Sequence, residues 1–402
     1  MRTSWTLRLH RLLRRTTVLV LAAVLAGLSS CAVSGLLNGV RDSSPVVEPF
    51  YQPPDPLPPA APGALIRSES LAAPDGVRGW RILYHSRSLA GADIAVSGSV
   101  FLPTAPAPAG GRRVVAWAHG TAGLGDRCAP SSAHDALGAV PQGPELLAAG
   151  DAVVATDYEG IGTPGLHPYL VGASEGRSIL DGVRAARALP DGALSADLVV
   201  FGHSQGGQAA LFTGEIARQY APELRLRGIV AAAPPTDLPA VASHVTELDD
   251  GSAYLMMLAG GYSAVEPQAK LPSILTDKGT TASKLLEDAC AGELIKALKG
   301  VPAGEVFAKD PRATEPWSSG LRENSTGTLP PDVPLLVLQG GQDPIVPEPV
   351  TAAAMQRLCI AGDTVDYRVV PDAGHDVVPS NAPQVLPWIA SRFAGGAAAT
   401  TC

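Results

Sequence analysis

Chemistry is most densely signalled at Gly202-His203-Ser204-Gln205-Gly206, with Gly207 after it. A serine hydroxyl attacks a carbonyl usefully only when a base takes its proton, and an acid must orient that base. A short apolar run, Asp197–Phe201, precedes this G-x-S-x-G sequence, and a segment able to form a helix, Gln208–Tyr220, follows it. A strand that stops, turns sharply and feeds a helix pushes Ser204 out to where a base and a substrate can reach it. The same turn sets the backbone N–H of Gln205 at the helix start. There it can meet an oxygen that becomes negative in the transition state.

The partners of Ser204 should follow it in the order acid, then histidine. Only His244 and His375 come later in the chain. His375 lies in Pro371–Asp376, directly after the last apolar run, and is the expected base. Asp343 lies in Gly340–Pro347, after the penultimate run, and is the expected acid. Asp372 and Asp376 sit too close to His375 to reach round to its ring, and read as loop-shaping or solvated. A second oxyanion donor should come from the loop after Arg113–Trp117, and the Thr121 amide is the candidate. His119 reads as a buttress of that loop, and His203 as pointing away from the nucleophile.

Two decoys fail on context. Gly172–Gly176 repeats the G-x-S-x-G pattern around Ser174, but no apolar strand precedes it. Ser174 reads as the N-cap of a helix. Gly160–Gly165 matches G-x-G-x-x-G, yet Pro164 and Pro168 forbid the helix that must open there to bind a dinucleotide. No pair of cysteines has a metal-ligand spacing and H-E-x-x-H is absent, so neither a metal nor a cofactor is expected.

Holding these residues together requires an alternating chain. Arg113–Trp117, Asp151–Thr156, Asp197–Phe201, Gly228–Ala233, Pro334–Leu338 and Val365–Val370 read as strands, with helical segments such as Gly176–Leu189 between them. That alternation predicts an α/β fold, a mostly parallel sheet with helices on both faces. Trp80–Tyr84 and Ile94–Leu102 read as an edge hairpin. The core is expected at 64–235 and 331–395, with the intervening 236–330 forming a helical cap over the site. The apolar Tyr254–Leu258 reads as cap core rather than as an acyl-binding surface.

The N-terminus reads as a targeting segment, 1–30: Arg8, Arg11, Arg14 and Arg15 precede an apolar run of eleven residues, Val18–Leu28. This is shorter than the roughly 20 residues a membrane span needs. Leu28-Ser29-Ser30-Cys31 resembles a bacterial lipobox, which makes Cys31 a lipid attachment point. Arg14-Arg15 also fits a twin-Arg export signal. Either way the mature chain is expected outside the cytoplasm, at the cell envelope or secreted. Residues 31–63 read as a tether, since eight prolines between 45 and 62 forbid helix and strand. Cys128, Cys290, Cys359 and Cys402 remain, an even number that favours two disulfides and leaves three pairings open. The net charge of −8 and the lack of a basic stripe exclude a nucleic-acid partner.

Taken together, Trp117–Thr121, Asp157–Gly162 with His167–Tyr169, Glu175–Gly182 and Gly202–Gly207 resemble the secretory lipase family, over about 64–395. The resemblance implies an α/β-hydrolase with a helical cap before the penultimate strand, and a triad of Ser204, Asp343 and His375. It also implies the disulfides Cys128–Cys290 and Cys359–Cys402. The lipobox and proline tether depart from the family's fungal pattern, and Gly-His-Ser-Gln-Gly is common among esterases generally. The expected function is therefore ester or lipid hydrolysis, by a lipase or a carboxylesterase anchored at the envelope through Cys31. A peptidase or acyltransferase using the same triad, and a non-catalytic envelope lipoprotein, are the alternatives.

Overall fold

Long apolar runs in this chain mark strands that are covered on both sides. In the computed structural model, residues 48–402 are described except 191 and 328–332. The targeting segment 1–30 and Cys31 lie outside the described residues. Nine strands form one sheet in the order β1-β2-β3-β5-β4-β6-β7-β8-β9. They are β1 (Leu65–Leu71), β2 (Val77–Arg87), β3 (Asp93–Pro103), β4 (Arg112–Ala118), β5 (Ala152–Thr156), β6 (Leu194–His203), β7 (Arg225–Ala232), β8 (Leu335–Gly340) and β9 (Val365–Val370). The pairings β1–β2, β2–β3 and β3–β5 are antiparallel, and all the others are parallel. The expected hairpin is β2–β3, but it is not the edge. β1 lies outside it, and its polar, half-exposed sequence carries no apolar alternation.

Alternate residues of one strand serve two cores. Val114, Ala116, Val154, Val200 and Ile229 face the helices Gly172–Arg187, Gln205–Tyr220 and Glu348–Ala361 through Ile179, Val183, Leu211 and Leu358. Val115, Trp117, Val153, Phe201 and Val230 face the helices Gly143–Ala148 and Val378–Phe393 through Leu146, Leu147, Trp388 and Ile389. With both faces buried, a strand reads as continuous hydrocarbon rather than as an alternating pattern.

Residues 48–63 correct the expected tether. Phe50 and Tyr51 are only 7% and 3% exposed. The Arg81 guanidinium lies 4.7 Å and 5.1 Å from their ring centroids, and the Tyr51 hydroxyl bonds Ser131 Oγ at 2.9 Å. Prolines dictate an extended backbone here, but two aromatics among them bury against the sheet. The folded chain thus includes Phe50 and Tyr51, upstream of the expected start near Ala64.

Between β7 and β8 the chain forms helices that include Leu238–Val245, Gly251–Val265, Asp277–Ser283, Ala291–Leu298 and Trp317–Glu323. They enclose their own core of Met256, Met257, Ile274, Leu294, Phe307 and Trp317. The Cys128–Cys290 disulfide ties this segment to the loop after β4, across 162 residues. Cys359–Cys402 clips the C-terminus to the helix Glu348–Ala361. Both pairings are those implied by the family resemblance.

Candidate active site

The strand β6 ends at His203, and a helix opens at Gln205. Ser204 between them has φ 56° and ψ −121°, a backbone shape that non-glycine residues adopt only under strain. Its N–H donates to the Ala232 carbonyl at 2.8 Å, which holds the turn against β7. The flanking glycines are steric necessities. A methyl group on Gly202 would collide with the Gly206 carbonyl, and one on Gly206 with the Ala118 carbonyl.

Three loops at neighbouring strand ends converge on this turn. His375, from the loop after β9, puts Nε2 2.8 Å from Ser204 Oγ. Its Nδ1 lies 2.8 Å from Asp343 Oδ2, in the loop after β8. Asp343 Oδ1 accepts the amides of Ile345 and Val346, each at 2.9 Å. Gln339 Nε2 donates to Oδ2 at 3.1 Å, and Thr351 fixes Gln339 in turn by donating to its Oε1 at 2.9 Å. Burial works against the Asp343 charge. The His375 hydrogen bond and charge, with the two amides, outweigh it and hold the carboxyl below the ordinary aspartate value. An ionised Asp343 accepts the hydrogen bond of an Nδ1–H, so Nε2 presents its lone pair to the Ser204 hydroxyl.

Other expected residues take definite places. Gln205 is the first residue of its helix, so its N–H has no intrahelical acceptor. Gly120 lies against Ser204, since a Cβ on it would come 3.7 Å from Ser204 Cβ. That brings Thr121 to the rim of the site, where its hydroxyl bonds the Tyr169 hydroxyl at 2.8 Å. His119 does buttress this loop, with Nδ1 2.6 Å from the Gly120 carbonyl. Burial pushes its imidazole down to about 4, so it stays neutral. Asp372 and Asp376 are exposed.

Three histidine and serine readings are refined or corrected. His203 does more than point away: Nε2 donates to the His375 carbonyl at 2.8 Å and anchors the loop that carries His375. His244 Nε2 donates to the Pro344 carbonyl at 3.0 Å, next to Asp343. Ser174 is not an N-cap. Its helix starts earlier, after Val171, because Glu175 Oε1 and Asn324 Oδ1 accept the N–H groups of Leu170 and Gly172, each at 3.1 Å. Ser174 Oγ donates instead to Glu159. The contacts of His203, His244 and Gly172 join residues at least 100 apart in sequence, and no local pattern signals them.

Ser204 stands between two spaces. One is a narrow apolar cavity lined by Tyr169, Leu238, Val241, Leu255, Leu258 and Val346, with Ser204 and Gln205 also in its wall. The other is a wider, more polar cleft lined by His119, Gly120, Thr121, Pro141, His203 and His375. Tyr254 borders both. The Tyr254–Leu258 stretch serves both: Met256 and Met257 lie in the core, while Leu255 and Leu258 belong to that core and also line the cavity beside Ser204, together with Tyr254. Among the described residues, no group of three His, Cys, Asp or Glu side chains is placed to hold a metal ion.

Residues 144–401 match the family model described as secretory lipase. A protein of Mycobacterium tuberculosis named "Probable inactive lipase" is 26% identical over 90% of this chain and 85% of its own. A secreted triacylglycerol lipase of Malassezia globosa is 27% identical over 89% and 83%. The crystal structure of Candida antarctica lipase A superposes with a TM-score of 0.77 at 21% identity, covering 90% of this chain and 88% of the other. With more than half its length matched by the family model, the chain belongs to the secretory lipase family, carboxylic ester hydrolases built on the α/β-hydrolase fold.

Proposed function

We propose that this chain hydrolyses carboxylic esters through an acyl-enzyme on Ser204. The observation that carries the reading is the unbroken chain of contacts Ser204–His375–Asp343, at 2.8 Å and 2.8 Å. Ser204 Oγ attacks the ester carbonyl while His375 Nε2 takes its proton. The carbonyl oxygen, now negative, lies between the amides of Gln205 and Thr121. Collapse of the tetrahedral intermediate expels the alcohol, which receives the proton from His375. A water then attacks the acyl-enzyme, giving its proton to the same nitrogen; collapse breaks the bond to Ser204 Oγ, returns that proton to Oγ and releases the carboxylic acid. Asp343 stays ionised throughout and holds the imidazole in the one tautomer that serves both halves.

The two spaces beside Ser204 support a division of the substrate. The hydrocarbon lining of the Leu238–Leu258 cavity suits an acyl chain of several carbons, and the wider polar cleft suits the departing alcohol. The triacylglycerol named for the Malassezia relative fits that division. The chain works outside the cytoplasm, held at the envelope by lipid on Cys31. The Mycobacterium relative's name raises a non-catalytic reading, but a binding protein has no use for a strained serine in contact with an oriented imidazole. Hydrolysis of p-nitrophenyl esters from C2 to C16 by the chain lacking its first 31 residues, beside Ser204→Ala, tests the proposal. Turnover that depends on Ser204 and rises beyond C4 is expected. Equal turnover in Ser204→Ala refutes the mechanism. Cleavage of amides alone, or acyl transfer to alcohols in preference to water, replaces it with a peptidase or an acyltransferase.

A further inference from the structure

Behind Ser204 lies a fully buried polar cluster that the mechanism leaves unused. Gln205, 1% exposed, carries one candidate oxyanion amide in its main chain, yet its side chain turns inward. Its Nε2 is 2.7 Å from Glu175 Oε1 and 2.7 Å from His167 Nε2. Glu175 and His167 are both 0% exposed. His167 Nδ1 faces the Glu159 carbonyl at 2.8 Å and must donate to it, so Nε2 is the acceptor for Gln205. Both hydrogens of the Gln205 amide are thereby committed, one to the carboxylate and one to the imidazole.

The cluster also reaches the other oxyanion loop. The Tyr158 ring stacks on His167 at 5.6 Å with 12° between planes, and its centroid lies 4.4 Å from that of the His119 ring. Its hydroxyl donates to the His119 carbonyl at 3.1 Å, two residues before Thr121. One continuous set of contacts, Glu175–Gln205–His167–Tyr158–His119, thus grips both segments that would bind the transition-state oxygen.

We propose that Glu175 and His167 are positioning residues for the oxyanion hole, fixing the Gln205 amide through its side chain and the 119–121 loop through Tyr158. Stability alone does not call for such a cluster. A buried carboxylate and imidazole are often replaceable by apolar groups of equal volume without loss. Two of the cluster's oxygens, Glu175 Oε2 and Gln205 Oε1, are buried without a hydrogen-bond partner among the described residues, a cost that fold stability does not repay. Oxyanion donors act only when they are aimed before the charge develops, because reorienting them during the reaction forfeits the gain. Ser204 adds to the need, since its strained φ leaves the following peptide plane without the support of regular helix geometry.

The inference rests on Ser204 being the nucleophile, and the test separates the two. Glu175→Gln keeps an oxygen for Gln205 and Leu170, whereas Glu175→Met and His167→Phe remove the acceptors at similar volume. Each variant is measured for kcat and KM on a p-nitrophenyl ester, for inhibition by a trifluoromethyl ketone, and for Tm. The ketone's adduct with Ser204 places an oxyanion in the hole, and the matching methyl ketone reports ground-state binding. Glu175→Met and His167→Phe should lower kcat about 10- to 100-fold, less than the 100- to 1,000-fold of a donor removed outright. KM and methyl-ketone binding should hold, trifluoromethyl-ketone affinity should fall by the same factor as kcat, and Glu175→Gln should restore both. If kcat falls without a matching loss of trifluoromethyl-ketone affinity, or Glu175→Gln is as damaging as Glu175→Met, the positioning role is overturned. So it is if Tm falls while kcat per folded molecule is unchanged. Activity and ketone binding that survive in Ser204→Ala would instead overturn the nucleophile assignment itself.

Discussion

Replacing Asp343 by Asn exchanges one oxygen for an NH2 group and should cost far more than one hydrogen bond. The amides of Ile345 and Val346 both donate to Oδ1, so the Asn carbonyl oxygen must occupy that site. The NH2 group is then forced into the Oδ2 position, 2.8 Å from His375 Nδ1. A donor there requires Nδ1 to accept, which moves the imidazole proton to Nε2, facing Ser204 Oγ. In that tautomer the ring cannot take the serine proton. A loss of about 10,000-fold in kcat is expected, as for the wrong tautomer in a serine protease triad. That loss corresponds to about 5.5 kcal/mol of activation free energy at 1.36 kcal/mol per decade. Gln339 Nε2 also donates toward Oδ2 and would face a second donor, which adds a destabilisation of about 1–3 kcal/mol. The assay is steady-state hydrolysis of a p-nitrophenyl ester by a known concentration of folded protein, beside urea unfolding. A variant that folds, keeps its KM and loses less than about 10-fold in kcat would refute the tautomer argument and the role of Asp343 with it.

Three further outcomes are expected. The cavity beside Ser204 should shorten when filled: Leu258→Trp shifts the preferred acyl chain toward C2–C4 in a p-nitrophenyl ester series, and an unchanged optimum would place the acyl chain elsewhere. Chain entropy predicts about 5 kcal/mol for the Cys128–Cys290 cross-link, 162 residues apart, and about 4 kcal/mol for Cys359–Cys402, 43 apart. Paired Cys→Ser variants compared by urea unfolding should show the larger loss for the first pair. Burial pushes the Asp157 carboxyl up to about 6 from 3.8, against hydrogen bonds from Ser131 and Ser97. The folded state therefore binds this proton more tightly than the unfolded chain. Stability from this group is greatest below pH 3.8 and declines by about 3 kcal/mol as pH rises to about 6. Asp157→Asn should flatten that slope in unfolding measured at pH 4 and pH 7, and an unchanged slope would assign it to other groups.

Much of the fold was legible because its strands are buried on both faces, which writes each one as an apolar run. The turn that carries Ser204 was legible because Gly202 and Gly206 are demanded by contacts within a few residues or one strand away. His375 and Asp343 could be picked out because a parallel sheet delivers every βα loop to one end, so chain order fixes who meets Ser204. β1 was missed because an edge strand that is half solvated needs no apolar pattern. Residues 48–63 were misread because proline content fixes backbone shape but says nothing of what two aromatics pack against.

By itself the sequence determined which residues were chemically able to act and in what order they arrive. Tertiary structure alone decided the tautomer of His375, the anchoring of its loop by His203 across 172 residues of chain, and the grip of Glu175 and His167 on Gln205. Local sequence sets backbone conformation through steric and hydrogen-bonding rules that span a few residues. Proton placement and the aim of an amide depend on donors and acceptors brought within 3 Å of each other by the whole packed core, and no pattern along the chain encodes that distance.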